Sequence, residues 1–409
     1  MNEPIIIEQA KQESKPYHSQ GNCHNCGATN LRIFYKVRDI PVHSCLMSAT
    51  KREAINIPVG DLVLGFCEQC GFITNTVYDA FLQNYSPGYE DQQSYSGTFN
   101  AFARTLASQL VNKYNLKHKN ILEIGCSNGD FLVLMCQLGN NRGVGIDPTC
   151  VEERLPEDMA KQIRFIRDFY SERYAHVTGD MVICRHTLEH IQYTQEFVRM
   201  IRRSIGNKLD TVVFFEVPDT RRVLRELAFW DIYYEHCSYF TADSLARLFR
   251  SSGFEIINLS LDFNDQYLLI EAKPAIRPSQ KGSPLETGLQ QTAQDVDYFF
   301  NQIARKLAKW RAYINLLCMQ GKRTVIWGSG SKCVAFLTTL GVGSEIGAIV
   351  DINPHRHGKF MPGPGLQVQS PEFLKEYQPD EVIVMNPVYQ NEIKQMLHEM
   401  NLNPKVITV

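Results

Sequence analysis

The chain has 409 residues, a formal net charge of −2 and 12 cysteines. That length holds two or three domains, each with its own core, and the near-neutral balance argues against a dedicated nucleic-acid or anionic-membrane partner. No apolar run is long enough to span a bilayer, and the N-terminus lacks the basic start and apolar core of a signal peptide. The cysteines are dispersed, with Cys126, Cys136, Cys184 and Cys237 inside predicted α/β elements, so a reducing, cytoplasmic setting is expected.

Residues 1–20 are polar and read as a loose arm. Cys23 and Cys26, then Cys67 and Cys70, form two Cys-x-x-Cys knuckles, each followed by a glycine, Gly27 and Gly71. Such a turn aims two thiolates at one metal, and two turns complete a tetrahedral zinc site. An all-cysteine site is closed to water and substrate, so the zinc is expected to be a structural staple, with His24, His43 and Cys45 as bystanders. The neighbouring sequence is not a basic helix, which disfavours nucleic-acid reading. Residues 78–100 are turn-rich and carry Tyr78, Tyr85, Tyr89 and Tyr95. These tyrosines either pack a domain junction or form a lid whose phenols reach a ligand. A helix is predicted from about Asn100 to Tyr114, with Phe102, Leu106 and Leu110 on one face.

The rest of the chain is organised around residues 120–130. An apolar run ending in Glu123 meets Gly125, Ser127 and Gly129, and a helical pattern starts at Asp130. Strand, small-residue turn and helix are the layout of a nucleotide-binding βα unit, in which the backbone approaches the ligand and the helix N-terminus faces it. The next strand ends in Asp147, placed to accept both hydroxyls of a nucleoside ribose. Asp168 and Phe169 offer an acid and a ring to the base. A fourth strand leads into a histidine-rich loop ending at His190, and a fifth runs from Thr211 to Pro218. Beyond it, Tyr233, Tyr234, Glu235 and His236 crowd ahead of a helix with Thr241 as its N-cap. Ligands of open α/β folds bind at the carboxyl ends of the strands. A histidine beside a glutamate is expected to titrate near neutrality and act as a general base; the alternative is a satisfied interior histidine.

Residues 273–285 read as a Pro/Gly/Ser-rich linker, followed by a long amphipathic helix over about 286–320. A second strand–turn–helix then carries Gly328, Gly330 and Lys332, with Asp351 ending the next strand. Cys333 stands where a dinucleotide fingerprint wants a third glycine, so this module is a weak NAD site.

The core resembles a class I S-adenosylmethionine-dependent methyltransferase. Nearly the whole chain after residue 20 resembles the three-domain sugar C-methyltransferases, which methylate C3 of thymidine-diphosphate-linked 4-keto-6-deoxy sugars. The resemblance implies an α/β protein: a zinc-binding β domain (21–77), a class I methyltransferase core with a bridging lid segment (78–272), a linker and long helix (273–320), and a C-terminal Rossmann-like substrate-binding domain (321–409). It implies S-adenosylmethionine held by Glu123, Gly125, Ser127, Gly129, Asp147, Asp168 and Phe169, and structural zinc on Cys23, Cys26, Cys67 and Cys70. It places the base of an enolate mechanism at His236, with Glu235, Tyr233 and His190 beside it and Tyr89 as the bridging tyrosine. The C-terminal module would hold the nucleotide of the sugar through its Gly328–Lys332 turn. The implied partner is a nucleotide sugar, with neither nucleic acid nor membrane, and the protein would be a monomer or homodimer. Two departures stand out: Tyr234 replaces the first histidine of the family's Tyr-His-Glu-His, and Asn264, Asp265, Gln266 and Tyr267 replace its Gly-Gly-Ser turn. Competing readings are an O- or N-methyltransferase on another small molecule, an NAD-dependent oxidoreductase, and a non-catalytic zinc-containing binding protein.

Overall fold

The computed structural model describes residues 17–83, 85 and 88–409. Three sheets carry the chain. The first begins with the antiparallel strands β1 (Tyr17–Asn22), β2 (Thr29–Pro41), β3 (Val59–Phe66) and β4 (Ile73–Asn75). Strand β1 starts inside the segment read as a loose arm: its backbone pairs Tyr17 with Ile33 and Ser19 with Leu31, an order that the polar side chains of the segment do not announce. The rest of that segment, residues 1–16, lies outside the described residues. Both cysteine knuckles close as turns. The amide of Gly27 donates to the carbonyl of Cys23 at 2.7 Å, and that of Gly71 to Cys67 at 2.9 Å. Both glycines adopt left-handed φ values, 78° and 79°, which a side chain would disfavour.

The second sheet holds the parallel strands β5 (Asn120–Ile124), β6 (Arg142–Ile146), β7 (Ile163–Ile166), β8 (Met181–Arg185) and β9 (Val212–Pro218). Strand β8 is buried throughout, as expected of a parallel strand covered on both faces. The next strand, β10 (Ser238–Tyr239), leaves this sheet and pairs antiparallel with β4, so the segment just after His236 completes the N-terminal sheet. The chain then returns through β11 (Phe254–Asp262) and β12 (Tyr267–Pro274), giving the order β11-β12-β9-β8-β5-β6-β7. The strand order reverses at β5, which opens a crevice at its carboxyl end. The helix Ala242–Ser251 starts as expected: Thr241 caps it in a reciprocal box with Ser244.

The third sheet is parallel, with β13 (Thr324–Trp327), β14 (Ala348–Val350), β15 (Val368–Gln369), β16 (Glu381–Val384) and β17 (Lys405–Thr408) in the order β15-β14-β13-β16-β17. It has its own reversal at β13. The long helix, Leu289–Met319, buries Val296, Phe299, Ile303, Leu307 and Ile314. Phe299 sets its ring edge-on against Phe34 and Tyr35 of β2, and Trp310 meets Phe336 of the third sheet's first helix with centroids 5.1 Å apart. One apolar stripe thus ties the first and third sheets together. Among the described residues, no helix is long and apolar enough to cross a membrane.

Candidate active site

The reversals at β5 and β13 open onto one cavity of about 460 Å³, within the range of small-molecule sites. The cofactor-type turn occupies the β5 end. Gly125 and Gly129 adopt φ values of 71° and 81°. A Cβ at Gly125 would lie 1.9 Å from Thr187 Oγ1, and one at Gly129 would lie 2.5 Å from Phe165 Cζ. Between them Ser127, at φ 47°, donates its amide to Asp147 Oδ2 at 2.9 Å and its hydroxyl to Asp91 Oδ1 at 3.0 Å. Ser127 is thus tethered on both sides. Asp147 also accepts from the amide and hydroxyl of Thr149 while lining the cavity.

Glu123 is buried at the end of β5, and its Oε2 has no hydrogen-bond partner. Burial pushes it up to about 8, although Arg185 pulls the other way. An unpartnered carboxyl oxygen, its ionisation held back by burial, beside a cradle open to backbone approach fits a nucleoside ligand whose positive charge would favour the ionised form. Of the other two expected cofactor residues, Phe169 lines the cavity. Asp168 is turned elsewhere, with Oδ2 accepting from Tyr174 at 2.5 Å and from Arg173 at 3.0 Å.

The Tyr/Glu/His cluster forms the middle of the cavity. Glu235 and His236, adjacent in sequence, face different partners. Glu235 is fully buried and accepts from the Ser44 amide at 2.9 Å, the Ser44 hydroxyl and the Tyr89 hydroxyl at 3.0 Å. Burial would raise its pKa, but His43 and the two Ser44 donors hold it below the ordinary value. His236 instead shares a 2.8 Å hydrogen bond between its Nε2 and the Tyr233 hydroxyl. Burial, then the neighbouring His190, His186 and Lys332, lower it well below the ordinary histidine value. The expectation of a histidine tuned to neutrality by its neighbouring glutamate is therefore corrected. Successive residues of the turn point apart, and His236 is a neutral ring among positive neighbours. The rings of His190 and His236 stand perpendicular with centroids 4.9 Å apart, and the Tyr85 hydroxyl bonds His190 Nδ1 at 2.9 Å. Burial, and then the charge of Asp231 for Tyr233 or of Glu235 for Tyr85, keeps both phenols protonated.

Beneath this cluster lies a buried charge group. Arg185 grips Glu216 with Nε at 3.1 Å and Nη2 at 2.9 Å, and its guanidinium lies 4.0 Å over the Phe131 ring. His186 Nε2 is 2.7 Å from Glu216. Burial opposes its charge, but Glu216 and Glu189 together raise it to about 9.

The third sheet supplies the far wall. Lys332 pairs with Asp231, which also takes Arg222. Asp351, the acid that a dinucleotide would need, is already committed to Ser329, whose amide and hydroxyl both donate at 2.7 Å, and to Arg356 at 3.1 Å. The turn that replaces Gly-Gly-Ser holds Phe263, Asn264 and Asp265 at positive φ. It brings Tyr267 against His186 with centroids 4.5 Å apart, and Gln266 donates to Asn386, in the loop after β16, at 2.8 Å.

The four cysteines meet away from this cavity. Cys23 and Cys70 have their sulfurs 3.6 Å apart, Cys26 and Cys67 3.7 Å, and all four fall within 4.8 Å. A tetrahedron with zinc–sulfur bonds of 2.3 Å has edges of about 3.8 Å. The donor set and its dimensions fit zinc. Cys45 lies elsewhere, 3.3 Å from Ser331.

The structure brings Tyr89, His190, Tyr233, Glu235 and His236 to one place and gathers Glu123, Gly125, Ser127, Gly129 and Asp147 beside them. Sequence reasoning named Tyr85 only as one of four lid tyrosines and missed Ser44, Asp91 and the pairing of Lys332 with Asp231. Asp91 and Tyr85 at least lie in the tyrosine-rich segment it singled out.

Comparison with known proteins finds two matching families. Residues 98–259 match the family described as "Methyltransferase domain", and residues 285–407 match "C-methyltransferase C-terminal domain". The chain is 26% identical over 323 residues, 75% of each chain, to C-methyltransferase NovU of Streptomyces niveus. Among solved structures, an O-methyltransferase family protein from Burkholderia thailandensis aligns at a TM-score of 0.34 and 13% identity, covering 45% of this chain and 59% of that one. Magnesium protoporphyrin IX methyltransferase from Synechocystis PCC 6803 gives 0.34 and 15%, over 44% and 84%. Likenesses of that size say nothing of substrate.

Proposed function

Since the chain belongs to the C-methyltransferases, S-adenosylmethionine-dependent enzymes that join a methyltransferase domain to a C-methyltransferase C-terminal domain, we propose that it methylates the carbon next to the ketone of a nucleotide-linked 4-keto-deoxy sugar, with a thymidine diphosphate carrier. The observation that carries this reading is His236: a buried, neutral ring held by Tyr233 in a cavity shared by the cofactor turn and the C-terminal sheet. A neutral imidazole is the form that removes a proton, and a ketone acidifies the adjoining C–H.

In this proposal the C–H pair becomes an enolate as the proton passes to a ring nitrogen of His236. Tyr233, or His190 braced by Tyr85, donates to the developing oxyanion. Glu235 fastens Ser44 and Tyr89 around the base, so the N-terminal domain takes part in shaping the site. Bound S-adenosylmethionine would supply an electrophilic methyl group whose old bond pair stays on sulfur, while the enolate's electron pair forms the new carbon–carbon bond. Glu123, Asp147 and the Gly125–Gly129 turn would hold its nucleoside and charge, with Asp91 reaching the same turn through Ser127. The site's work is chiefly positioning two carbons at reacting distance. The Gly328–Lys332 turn would take the nucleotide. Zinc on Cys23, Cys26, Cys67 and Cys70 would be structural.

Calorimetric titration with S-adenosylhomocysteine, and then with thymidine diphosphate, tests the two subsites. Binding of both, followed by a new C-methyl signal in the NMR spectrum of a 4-keto-6-deoxy sugar substrate, is the expected result. Methyl transfer to oxygen or nitrogen, or failure to bind the nucleotide, would refute the sugar reading.

A further inference from the structure

Directly after β8, the short turn Leu188–His190 buries Glu189, whose side chain is 2% exposed. Both carboxylate oxygens lack a hydrogen-bond partner, although the residue lines the cavity. Its nearest ionic neighbour is His186 Nδ1 at 3.5 Å. A Glu189 oxygen and ring nitrogens of His190 and His236 all lie within 4.8 Å of one another. A buried carboxylate without donors is costly unless a charge arrives to meet it.

The geometry points to Glu189 as a positioning residue that stabilises the imidazolium formed when His236 takes the substrate proton. The inference rests on the base assignment proposed above. Arg185 and His186 face Glu216 and Glu189 across this buried group. Proton removal breaks a C–H bond, leaves its electron pair in the enolate and forms an N–H bond on His236. The new cation then faces His186 from its own side, His190 from the turn and Lys332 from the third sheet. The phenols of Tyr85 and Tyr233 and the Cys237 thiol, which donates to the Glu189 carbonyl at 3.7 Å, are neutral. Asp231 is already spent on Lys332 and Arg222, and Glu235 points to Ser44 and Tyr89. Glu189 is the neighbouring carboxylate left with unused acceptors.

The test follows deuterium exchange at the carbon beside the ketone of a thymidine-diphosphate-linked 4-keto-6-deoxy sugar, in the full-length protein with S-adenosylhomocysteine bound. Exchange isolates proton removal from methyl transfer. Glu189→Gln keeps the shape and removes the charge. It is expected to slow exchange on the order of 10²-fold and to move the acidic limb of the rate profile to lower pH, with S-adenosylhomocysteine affinity unchanged. Glu189→Asp should restore part of the rate. An unshifted profile at wild-type rate overturns the inference. So does a loss reproduced by His186→Gln and not deepened in the double variant, since Glu189 would then serve His186 alone. A divalent ion bound beyond the cysteine site and lost in Glu189→Gln also overturns it. If Glu189→Gln does not fold, the Glu189→Asp profile decides. A wild-type protein that exchanges no deuterium refutes the proposed reaction and this inference with it, an outcome distinct from exchange that survives in Glu189→Gln.

Discussion

Replacing His236 with Asn removes the proposed base while keeping a polar side chain beside Tyr233, whose hydroxyl lies 2.8 Å from Nε2 in the native chain. General-base catalysis typically contributes 10²–10⁴-fold, or about 3–5.5 kcal/mol of barrier. The expected loss lies toward the lower end if His190, with its ring centroid 4.9 Å away, takes over part of the task. The cofactor turn belongs to β5 and makes no hydrogen bond with His236, so S-adenosylhomocysteine affinity should stay within about twofold, roughly 0.4 kcal/mol. The native enzyme should also show a particular pH dependence. Because burial and the cations His186 and Lys332 depress His236, the base is already neutral at pH 7. Activity should hold as pH falls through 6.5, declining only once the ring takes up a proton. The assay is the initial rate of methyl transfer across pH 5 to 8, together with calorimetry on the variant. A variant with native turnover would falsify the base assignment, and a native acidic limb centred at 6.5 would refute the electrostatic argument behind it.

Zinc removal by chelation should release the two knuckles, loosen the first sheet and abolish activity through Ser44 and Glu235, while the second sheet keeps its secondary structure. Metal content, circular dichroism and activity measured together check this, and full activity without metal would refute it. Gly125→Ala should weaken cofactor binding at least tenfold, about 1.4 kcal/mol, because the added Cβ meets Thr187 at a left-handed backbone position; unchanged calorimetry would contradict the cradle. His186 is raised to about 9, so its stabilisation is complete below its unfolded value near 6.5 and is lost as pH rises through about 9. The loss is at most about 3 kcal/mol, and it already includes the matching depression of Glu216. Urea unfolding of the wild type between pH 6.5 and 10 should show this decline, and His186→Gln should flatten it.

Elements with local signatures were legible in the sequence: the glycine-closed cysteine knuckles, the turn from Glu123 to Gly129, the Thr241 cap and the apolar stripe of the long helix. Each depends on residues within a turn or two of one another. The relation between Glu235 and His236 was not legible. Adjacency suggested a pair, yet the backbone sends one side chain to Ser44 and the other to Tyr233 and the cavity. That difference depends on Ser44, in a loop 191 positions upstream of Glu235. Strand β1 was missed for the same reason, since only its pairing with β2 orders a polar segment. The placement of Asp168 followed from the identity of its neighbours: Arg173 and Tyr174 capture its carboxylate before it can reach the cavity.

Strand β10 carries a consequence for biosynthesis. Strand β4 has β3 on one side and would be an open edge on the other until β10 covers it, with the Thr74 hydroxyl reaching the Cys237 carbonyl 163 positions downstream. During synthesis the first sheet therefore emerges with an unpaired edge well before its partner leaves the ribosome. Its closure waits for the methyltransferase sheet to place β10. An N-terminal fragment ending before residue 238 should bind metal yet self-associate through β4. The order of folding thus runs against the order of the chain, with the last strand of the first sheet delivered by the second.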